Sequence, residues 1–280
     1  MTRVRKAFAA GHFYAGTKEE LQRQLQECYE GRPPAVERKG PRRVVAAIAP
    51  HAGYPYSGKV AAALYRRLAE DGPFETAVLI GPNHTGLGEQ VAVMAQGEWE
   101  TPLGRVAIDR DLARKLCHGG LIEDDSAHLY EHSIEVQLPF LQGLDPEIRI
   151  VPVSMLAQDL EIARQVGEIV SRAMEGRRHI ILATTDLTHY EPHQVALAKD
   201  KQAIEAIAAL DEERLFRIMR EVELSMCGYG PVAAAIVAAR EMGAKEASLV
   251  AYTTSAEATG DYSAVVGYGA MVMTRPQQGA

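Results

Sequence analysis

Residues 44–58 read VVAAIAPHAGYPYSG. The first six residues form a continuous apolar run, which is typical of a strand buried on both faces of a parallel sheet. A Pro, a His and a Gly follow this run, and the apolar spacing at 57–70 then indicates a helix. The strand, turn and helix predict an α/β fold, with His51 placed directly after the carboxyl end of its first strand.

The same alternation recurs along the chain. It predicts strands at 44–49, 77–80, 148–153, 179–183 and 248–252, with an antiparallel or edge strand at 264–273. Helices are expected near 18–30 (opened by a capping box at Thr17–Glu20), 57–70, 109–118, 130–143, 158–175, 193–209 and 231–242, with a loop at 31–43 and a hairpin at 91–108. Because no linker or repeat interrupts this alternation, we predict a single domain over 1–280, built as a three-layer α/β/α fold around a mostly parallel or mixed sheet.

Composition excludes several classes of function. The 280 residues carry 30 Lys and Arg against 37 Asp and Glu, a formal net charge of −7, and this acidity argues against nucleic acid and anionic membranes as partners. The N-terminal segment has an apolar stretch of only four residues (AFAA, 7–10), well short of the ~7–15 of a signal-peptide core, and no run elsewhere approaches the ~18 residues of a membrane span. The three cysteines, Cys28, Cys117 and Cys227, form neither a disulfide framework nor a CxxC zinc pattern. We therefore expect a soluble, cytoplasmic protein.

Polar residues follow three of the predicted strands. His51 and His84 come after the first two, each near a Gly, while Asp186 and His189 come after the strand at 179–183. Side chains at the carboxyl ends of parallel strands meet at one edge of the sheet. Taken singly, each His is also compatible with capping a loop or a helix, but together they predict a shared functional site in one crevice.

Cys227 lies just before the last predicted helix, where the helix dipole is expected to lower the pKa of a thiol. Two imidazoles and one thiolate make a three-donor site with open positions, as in non-haem iron and catalytic zinc proteins. The preferred ligand set is therefore His51, His84 and Cys227. His189, oriented by Asp186, is expected to act as an acid or base beside this set. Further crevice contacts are expected from Tyr54, Asn83, His132, Glu135 and Tyr190.

A competing motif, His128-Leu-Tyr-Glu131-His132, matches the HxxEH string of inverted zinc peptidases. On a helix, His128 and His132 would share one face, with Glu131 beside them. The required third carboxylate is not evident, because Glu135 is too near and Glu205 is only a guess. Five residues with two wildcards also match often by chance, so this alternative ranks below the two-His, one-Cys site.

Five strings carry a family resemblance: APHAGYPYSG (49–58), GPNHTG (81–86), AHLYEHSIEVQLPFLQ (127–142), TTDLTHY (184–190) and CGYGPVAA (227–234). In this order they resemble the motifs of the Memo family, also called AmmeMemoRadiSam system protein B. AAGHFYAG (9–16) is similar to the family's N-terminal motif, although Ala15 stands where the family usually has proline. The resemblance therefore covers nearly the whole chain.

The resemblance implies a fold similar to LigB and other class III extradiol dioxygenases, in which two His and a Glu hold non-haem Fe(II). Carried over by motif, His51 and His84 match the metal histidines, Cys227 stands in place of the carboxylate, and His189 matches the acid–base histidine. Family members are described as binding iron or copper, and Fe(II) is the first expectation here. A thiolate is a softer ligand than a carboxylate, so it favours Cu(I) or Zn(II) alongside Fe(II) and puts catechol-type ring cleavage in doubt.

The resemblance also implies partners. The family's compound name points to a radical-SAM protein and an AMMECR-type companion, and the animal member is described as a cytosolic adaptor for phosphotyrosine peptides. Three functions stay open. The first is a redox or oxygen-activating metalloprotein, and the second is a module that binds a peptide or small acid in the crevice. The third is a hydrolase, either thiol-dependent with Cys227 activated by His84 or His189, or zinc-dependent through the HxxEH motif. The scarcity of Arg and Lys in the motifs counts against phosphate recognition.

Overall fold

The apolar run at Val44–Ala49 is an inner strand of a twelve-stranded mixed sheet in the computed structural model, which describes residues 3–36, 42–174 and 178–277. The strands are β1 (Val4–Arg5), β2 (Val44–Ala49), β3 (Thr76–Pro82), β4 (Val91–Val93), β5 (Glu98–Thr101), β6 (Gly104–Ile108), β7 (Ile122–Glu123), β8 (Arg149–Met155), β9 (His179–Thr184), β10 (His189–Glu191), β11 (Glu246–Thr254) and β12 (Val265–Thr274). The helices are α1 (Lys18–Cys28), α2 (Tyr54–Asp71), α3 (Arg110–His118), α4 (Leu138–Leu144), α5 (Leu160–Ala173), α6 (His193–Ala208), α7 (Glu212–Glu221), α8 (Tyr229–Glu241) and α9 (Ala256–Thr259).

The centre of the sheet is parallel. Its strands run in the order β8, β3, β9 and β2, and Val78 of β3 pairs with Val151 on one side and Ile181 on the other. Every residue of β2, β3 and β9 is buried, since α8 packs on these strands and α5 packs on α8. Helices on the sheet explain why these strands are continuous apolar runs rather than alternating ones. The predicted α/β class with a mixed sheet is confirmed.

Several predicted elements are confirmed in detail. Half of the predicted capping box at α1 is observed: Thr17 Oγ1 accepts from the Glu20 amide at 3.4 Å, and the Glu20 carboxylate accepts from the Thr17 hydroxyl at 2.7 Å. The hairpin within 91–108 is β5 and β6. β12 is antiparallel, as expected. Residues 37–41 of the predicted loop and residue 175 of a predicted helix lie outside the described residues.

The structure also differs from the prediction in several elements, among them the unpredicted β1, β7, β10 and α9. The run at 248–252 is not a buried parallel strand: it belongs to β11, which is half-exposed and antiparallel to β12 at the sheet edge. The helix predicted at 130–143 is reduced to a 3-10 turn (Glu135–Gln137) followed by the short α4. α7 was not predicted; Asp211 caps it by accepting from the Arg214 amide at 2.8 Å. None of the helices in the described ranges has an apolar stretch long enough to span a membrane.

Candidate metal centre

The carboxyl ends of three adjacent parallel strands bring the predicted site residues together. β3, β9 and β2 are neighbours in the sheet, and each is followed, two residues after its end, by one polar residue: His84, Asp186 and His51, respectively. The rings of His51 and His84 approach to 5.2 Å between centroids, edge to face. The convergence expected from the strand pattern is therefore observed for these side chains.

Cys227 completes this group from the loop before α8. Its Sγ lies 3.1 Å from Nε2 of His51, and the Asp186 amide donates to the sulfur at 3.3 Å. One ligand atom each from His51, His84 and Cys227 lie within 4.8 Å of one another. Donors around a tetrahedral metal with ordinary M–N and M–S bonds stand roughly 3.6 Å apart, so this set needs little movement to hold a metal.

The protonation chemistry of the group fits metal binding. Burial, with His132 and His84 nearby, holds the pKa of His51 well below its ordinary value, so the imidazole is neutral at pH 7. Its Nδ1 is buried and has no hydrogen-bond partner among the described residues. Burial, followed by the charge of Asp186, raises the pKa of Cys227 to about 12. The expectation of a lowered thiol pKa is therefore wrong for the metal-free chain, because desolvation outweighs the dipole of α8.

A glycine allows the Cys227 loop to reach the end of β9. A Cβ on Gly228 would collide with the carbonyl oxygen of Thr184 and lie 2.8 Å from Cβ of Thr185. The Gly228 amide donates to Thr185 Oγ1 at 2.9 Å, and the side chain of Gln158 donates to the Cys227 carbonyl at 2.9 Å. Close backbone packing and these bonds fix the thiol against the histidines.

Asp186 and His189 do not form the predicted pair. Oδ1 of Asp186 accepts from the His51 amide at 2.8 Å, and burial raises the pKa of this carboxyl to about 7 although the His51 and Ala52 amides lower it. Nδ1 of His189 lies 2.9 Å from the Ser225 carbonyl oxygen, and the His189 amide donates to Ser225 Oγ at 2.7 Å. Ser225 therefore orients His189, whereas Asp186 joins the loops that follow β9 and β2.

Glu131 is a site residue whose role the sequence reasoning missed. Its carboxylate is buried, lies 3.0 Å from Nδ1 of His84 and accepts from the His84 amide at 2.6 Å. The charges of His84 and His132 and these bonds lower its pKa to about 2, against the effect of burial. A carboxylate that accepts from Nδ1 leaves Nε2 of the same ring free for a metal. The HxxEH string contained Glu131, but as part of another motif.

The zinc-peptidase arrangement does not form. His128 ends a 3-10 turn (Ser126–His128), and its fully buried ring lies edge-on to Trp99 at 5.9 Å. Without a helix through 128–132, His128 and His132 have no common face. Glu205 is paired with Arg214 on the surface at 3.3 Å.

The remaining predicted crevice residues differ in position. The buried Tyr54 donates from its hydroxyl to the Val136 carbonyl at 2.7 Å, and Asn83 Oδ1 accepts from the Thr85 and Gly86 amides at 2.9 and 3.0 Å. Glu135 pairs with Arg5 and accepts from Tyr14 Oη at 2.6 Å. The polar atoms of these three side chains therefore serve the fold, in contrast to the expected contacts with a ligand.

Tyr190 and His132 are the more exposed of the predicted contact residues. Tyr190 is 79% exposed beside His189, with a ring-to-ring distance of 6.0 Å. Its φ of 58° is unusual for a residue other than glycine and turns the side chain toward solvent. His132 stacks on His84 with ring centroids 4.8 Å apart. These two residues are available to a ligand that enters beside the metal donors.

Comparisons with known proteins identify the family of the chain. A family model described as "Memo-like protein" matches residues 5–272. A MEMO1 family protein of Methanopyrus kandleri is 48% identical over 97% of this chain and 99% of its own length, and one of Methanothermobacter thermautotrophicus is 46% identical over 95% and 98%. The crystal structure of an uncharacterized protein from Escherichia coli K12 shares the fold alone: the TM-score is 0.56 at 12% identity, over 82% of this chain and all of that one. The chain belongs to the Memo-like protein family.

Proposed function

We propose that this chain is a metalloprotein in which His51, His84 and Cys227 hold one redox-active metal ion, Fe(II) in the first place and copper in the second. The observation that carries the proposal is the 3.1 Å approach of Cys227 Sγ to Nε2 of the buried, neutral His51, with a His84 donor atom within 4.8 Å. A thiol from the loop before α8 beside an unprotonated imidazole from the end of β2 is a donor pair suited to a soft or borderline metal.

An open site is favoured over a structural one. Structural zinc sites have four protein donors, whereas this group has three, and the side chain of His84 is 35% exposed. A bound Fe(II) or copper ion would supply redox chemistry and a Lewis acid at the open position. Nδ1 of His189 donates to the Ser225 carbonyl, which leaves Nε2 of this ring to contact a bound molecule.

Metal-free thiol catalysis is less well supported. A nucleophilic cysteine needs a lowered thiol pKa, while burial raises that of Cys227 to about 12. His51, the imidazole in contact with the sulfur, is held neutral, so it supplies no positive charge to stabilise a thiolate. Replacement of the thiol proton by a metal ion resolves this conflict, because a metal-bound thiol is deprotonated.

The test is metal content by mass spectrometry. Protein purified without oxygen is offered Fe(II), Cu(I) and Zn(II) together, as wild type and as the variants His51→Ala and Cys227→Ala. Cys117→Ala and His118→Ala are matched controls, since both residues lie on α3, away from the strand ends. We expect about one metal ion per chain in the wild type and the controls, and its loss in both site variants. A wild type without metal, or site variants that keep it, would refute the proposal.

A further inference from the structure

A third imidazole, that of His132, lies beside the proposed metal donors. Its ring is stacked on that of His84, 4.8 Å away at an interplanar angle of 27°, and stands perpendicular to that of His51 at 5.5 Å. Phe13 also stacks on His132, with centroids 4.2 Å apart at 22°. The ring is thus held by three neighbours, and its side chain is still 19% exposed to the crevice.

Glu131 lies against the same nitrogen of both stacked histidines. Oε1 of Glu131 is 3.0 Å from Nδ1 of His84 and 3.5 Å from Nδ1 of His132, and it also accepts from the Ser133 amide at 2.9 Å. An ionised carboxylate only accepts hydrogen bonds, so Nδ1 of His84 carries the hydrogen. The longer contact acts electrostatically on His132 in the same direction, because a lone pair on its Nδ1 would face a negatively charged oxygen.

Glu131 therefore favours the same tautomer in both histidines, with the hydrogen on Nδ1 and the lone pair on Nε2. The lone pair of His84 is taken by the metal in the proposed function. His132 is outside the group formed by His51, His84 and Cys227, and it belongs with His84 and Glu131 to a second group whose ligand atoms lie within 4.8 Å of one another. Because Nδ1 of both rings faces Glu131 in that second group, Nε2 of His132 is not used by the proposed metal. A held, partly exposed acceptor next to an open metal position is suited to contact whatever molecule occupies that position.

We infer that Nε2 of His132 accepts a hydrogen bond from an O–H or N–H group of the small molecule that binds at the metal, and that Glu131 is the positioning residue that holds the hydrogen of the ring on Nδ1. This inference rests on the proposed function. It defines the ligand class as metal-chelating molecules with a protic group beside the chelating atoms. Molecules in which that group is methylated lose the hydrogen bond and leave a polar nitrogen uncompensated.

Two hydroxamates test this contact on Zn(II)-loaded protein by titration calorimetry. Acetohydroxamate and N-methylacetohydroxamate chelate metals through the same two oxygens and differ in one N–H group. We expect the wild type to bind acetohydroxamate about fivefold or more tightly, as one hydrogen bond allows. In His132→Phe, which retains a ring for stacking, the preference should vanish while bound zinc is unchanged. His118→Phe, an exposed control, should keep the preference.

The outcomes separate this inference from the proposed function. A wild type that holds no metal refutes both. A wild type that holds zinc and binds the two hydroxamates equally well refutes the inference alone, as does His132→Phe if it keeps the preference. Loss of zinc in His132→Phe would make His132 a metal ligand and would also overturn the contact role.

The tautomer is measurable without metal. Nitrogen-15 NMR of the histidines in the metal-free wild type should show the hydrogen of His132 on Nδ1, and Glu131→Ala should abolish this preference. Glu212→Ala removes a buried carboxylate that binds Arg164 and Arg240 instead, and it should leave the His132 signals unchanged. A hydrogen on Nε2 of His132 in the wild type would overturn the inference whatever the calorimetry shows.

Discussion

The amide of His51 donates a hydrogen bond of 2.8 Å to Oδ1 of Asp186, and both residues are buried. This bond joins the loops that follow β2 and β9, two strands paired in parallel register. It fixes the backbone of one proposed metal ligand from the neighbouring strand end. The same bond holds the Asp186 carboxyl group beside the thiol of Cys227, and the charge of Asp186 adds to the effect of burial in raising the pKa of that thiol.

Asp186 should make the stability of the metal-free protein depend on pH. The ordinary pKa of an Asp is about 3.9, and burial raises that of Asp186 to about 7. Between these two pKa values the folded state keeps a proton that the unfolded chain releases. The stabilising contribution of Asp186 to the free energy of unfolding is therefore complete below pH ~4 and is lost as the pH rises through 7. Denaturant unfolding across this window should show the loss in the wild type but not in Asp186→Asn. Identical profiles for these two proteins would contradict the assignment.

Metal uptake should release a proton from Cys227. Because burial raises the pKa of this thiol to about 12, it is protonated at pH 7 and must lose its hydrogen to bind a metal. Calorimetry of Zn(II) binding in buffers of different ionisation enthalpy should report about one proton per metal ion. Cys117→Ala should release the same number. Release of no proton by the wild type would show that the sulfur is not a ligand.

Glu131→Ala should weaken metal binding by about 10–100-fold, as removal of a hydrogen bond to a ligand histidine does. Glu131→Gln should be intermediate, since an amide oxygen can still accept from Nδ1 of His84. Glu212→Gln is the matched control: its carboxylate is also buried, but it pairs with Arg164 on α5. That variant should lose stability without losing metal affinity. Equal metal affinities for Glu131→Ala and the wild type would remove Glu131 from the site.

Gly228→Ala should displace the Cys227 loop. The added Cβ meets backbone at the end of β9, and overpacking of this kind costs about 1–3 kcal/mol in free energy of unfolding. Metal affinity should fall as well, because the thiol moves with the loop. Gly143→Ala, in α4, has no neighbour within 4 Å of the new Cβ and should be neutral or slightly stabilising. A Gly228→Ala protein with wild-type stability and metal content would show that the loop tolerates the shift.

The buried pair of Arg5 and Glu135 should hold the N-terminal segment. Glu135 also accepts from the Phe8 and Ala9 amides at 2.9 and 2.8 Å, so its loss releases several partners at once. Glu135→Ala should cost about 3–5 kcal/mol in denaturant unfolding, since it leaves the guanidinium buried without its charge partner. Lys6→Ala removes an exposed ion pair with Glu100 and should cost less than about 1 kcal/mol. Comparable losses in the two variants would contradict this reading.

The sequence predicted the parts of the site that depend on topology. Continuous apolar runs identify β2, β3 and β9. Residues that directly follow parallel strands lie at the same edge of the sheet for any loop conformation, which explains why His51 and His84 were found. Cys227 was found for a different reason, its position before α8. Its pKa was predicted in the wrong direction, because the helix dipole can be inferred from sequence whereas the burial that opposes it cannot.

Partners that depend on loop geometry could not be predicted. Asp186 lies three residues before His189 and was assigned to it, yet its carboxylate bonds to the His51 amide, 135 positions away. The 131–134 segment lies within the helix predicted at 130–143, but Oγ of Ser133 donates to the Pro82 carbonyl at 3.2 Å and Glu131 bonds to His84, so tertiary contacts determine its conformation. The sequence feature that could have identified Glu131 is its position next to His132, but the sequence analysis assigned both residues to a peptidase motif.

The 176 positions that separate His51 from Cys227 have a consequence for the order of assembly. Bringing these two donors together orders a long stretch of chain, and the loss of chain entropy is offset by the pairing of β2 with β9 and the packing of α8 on the sheet. A nascent chain that has not yet emerged past Cys227 cannot hold the ion through this donor set. In the proposed function, metal loading would then follow translation of Cys227 and α8, and occupancy of the site would report that these distant parts of the chain have come together.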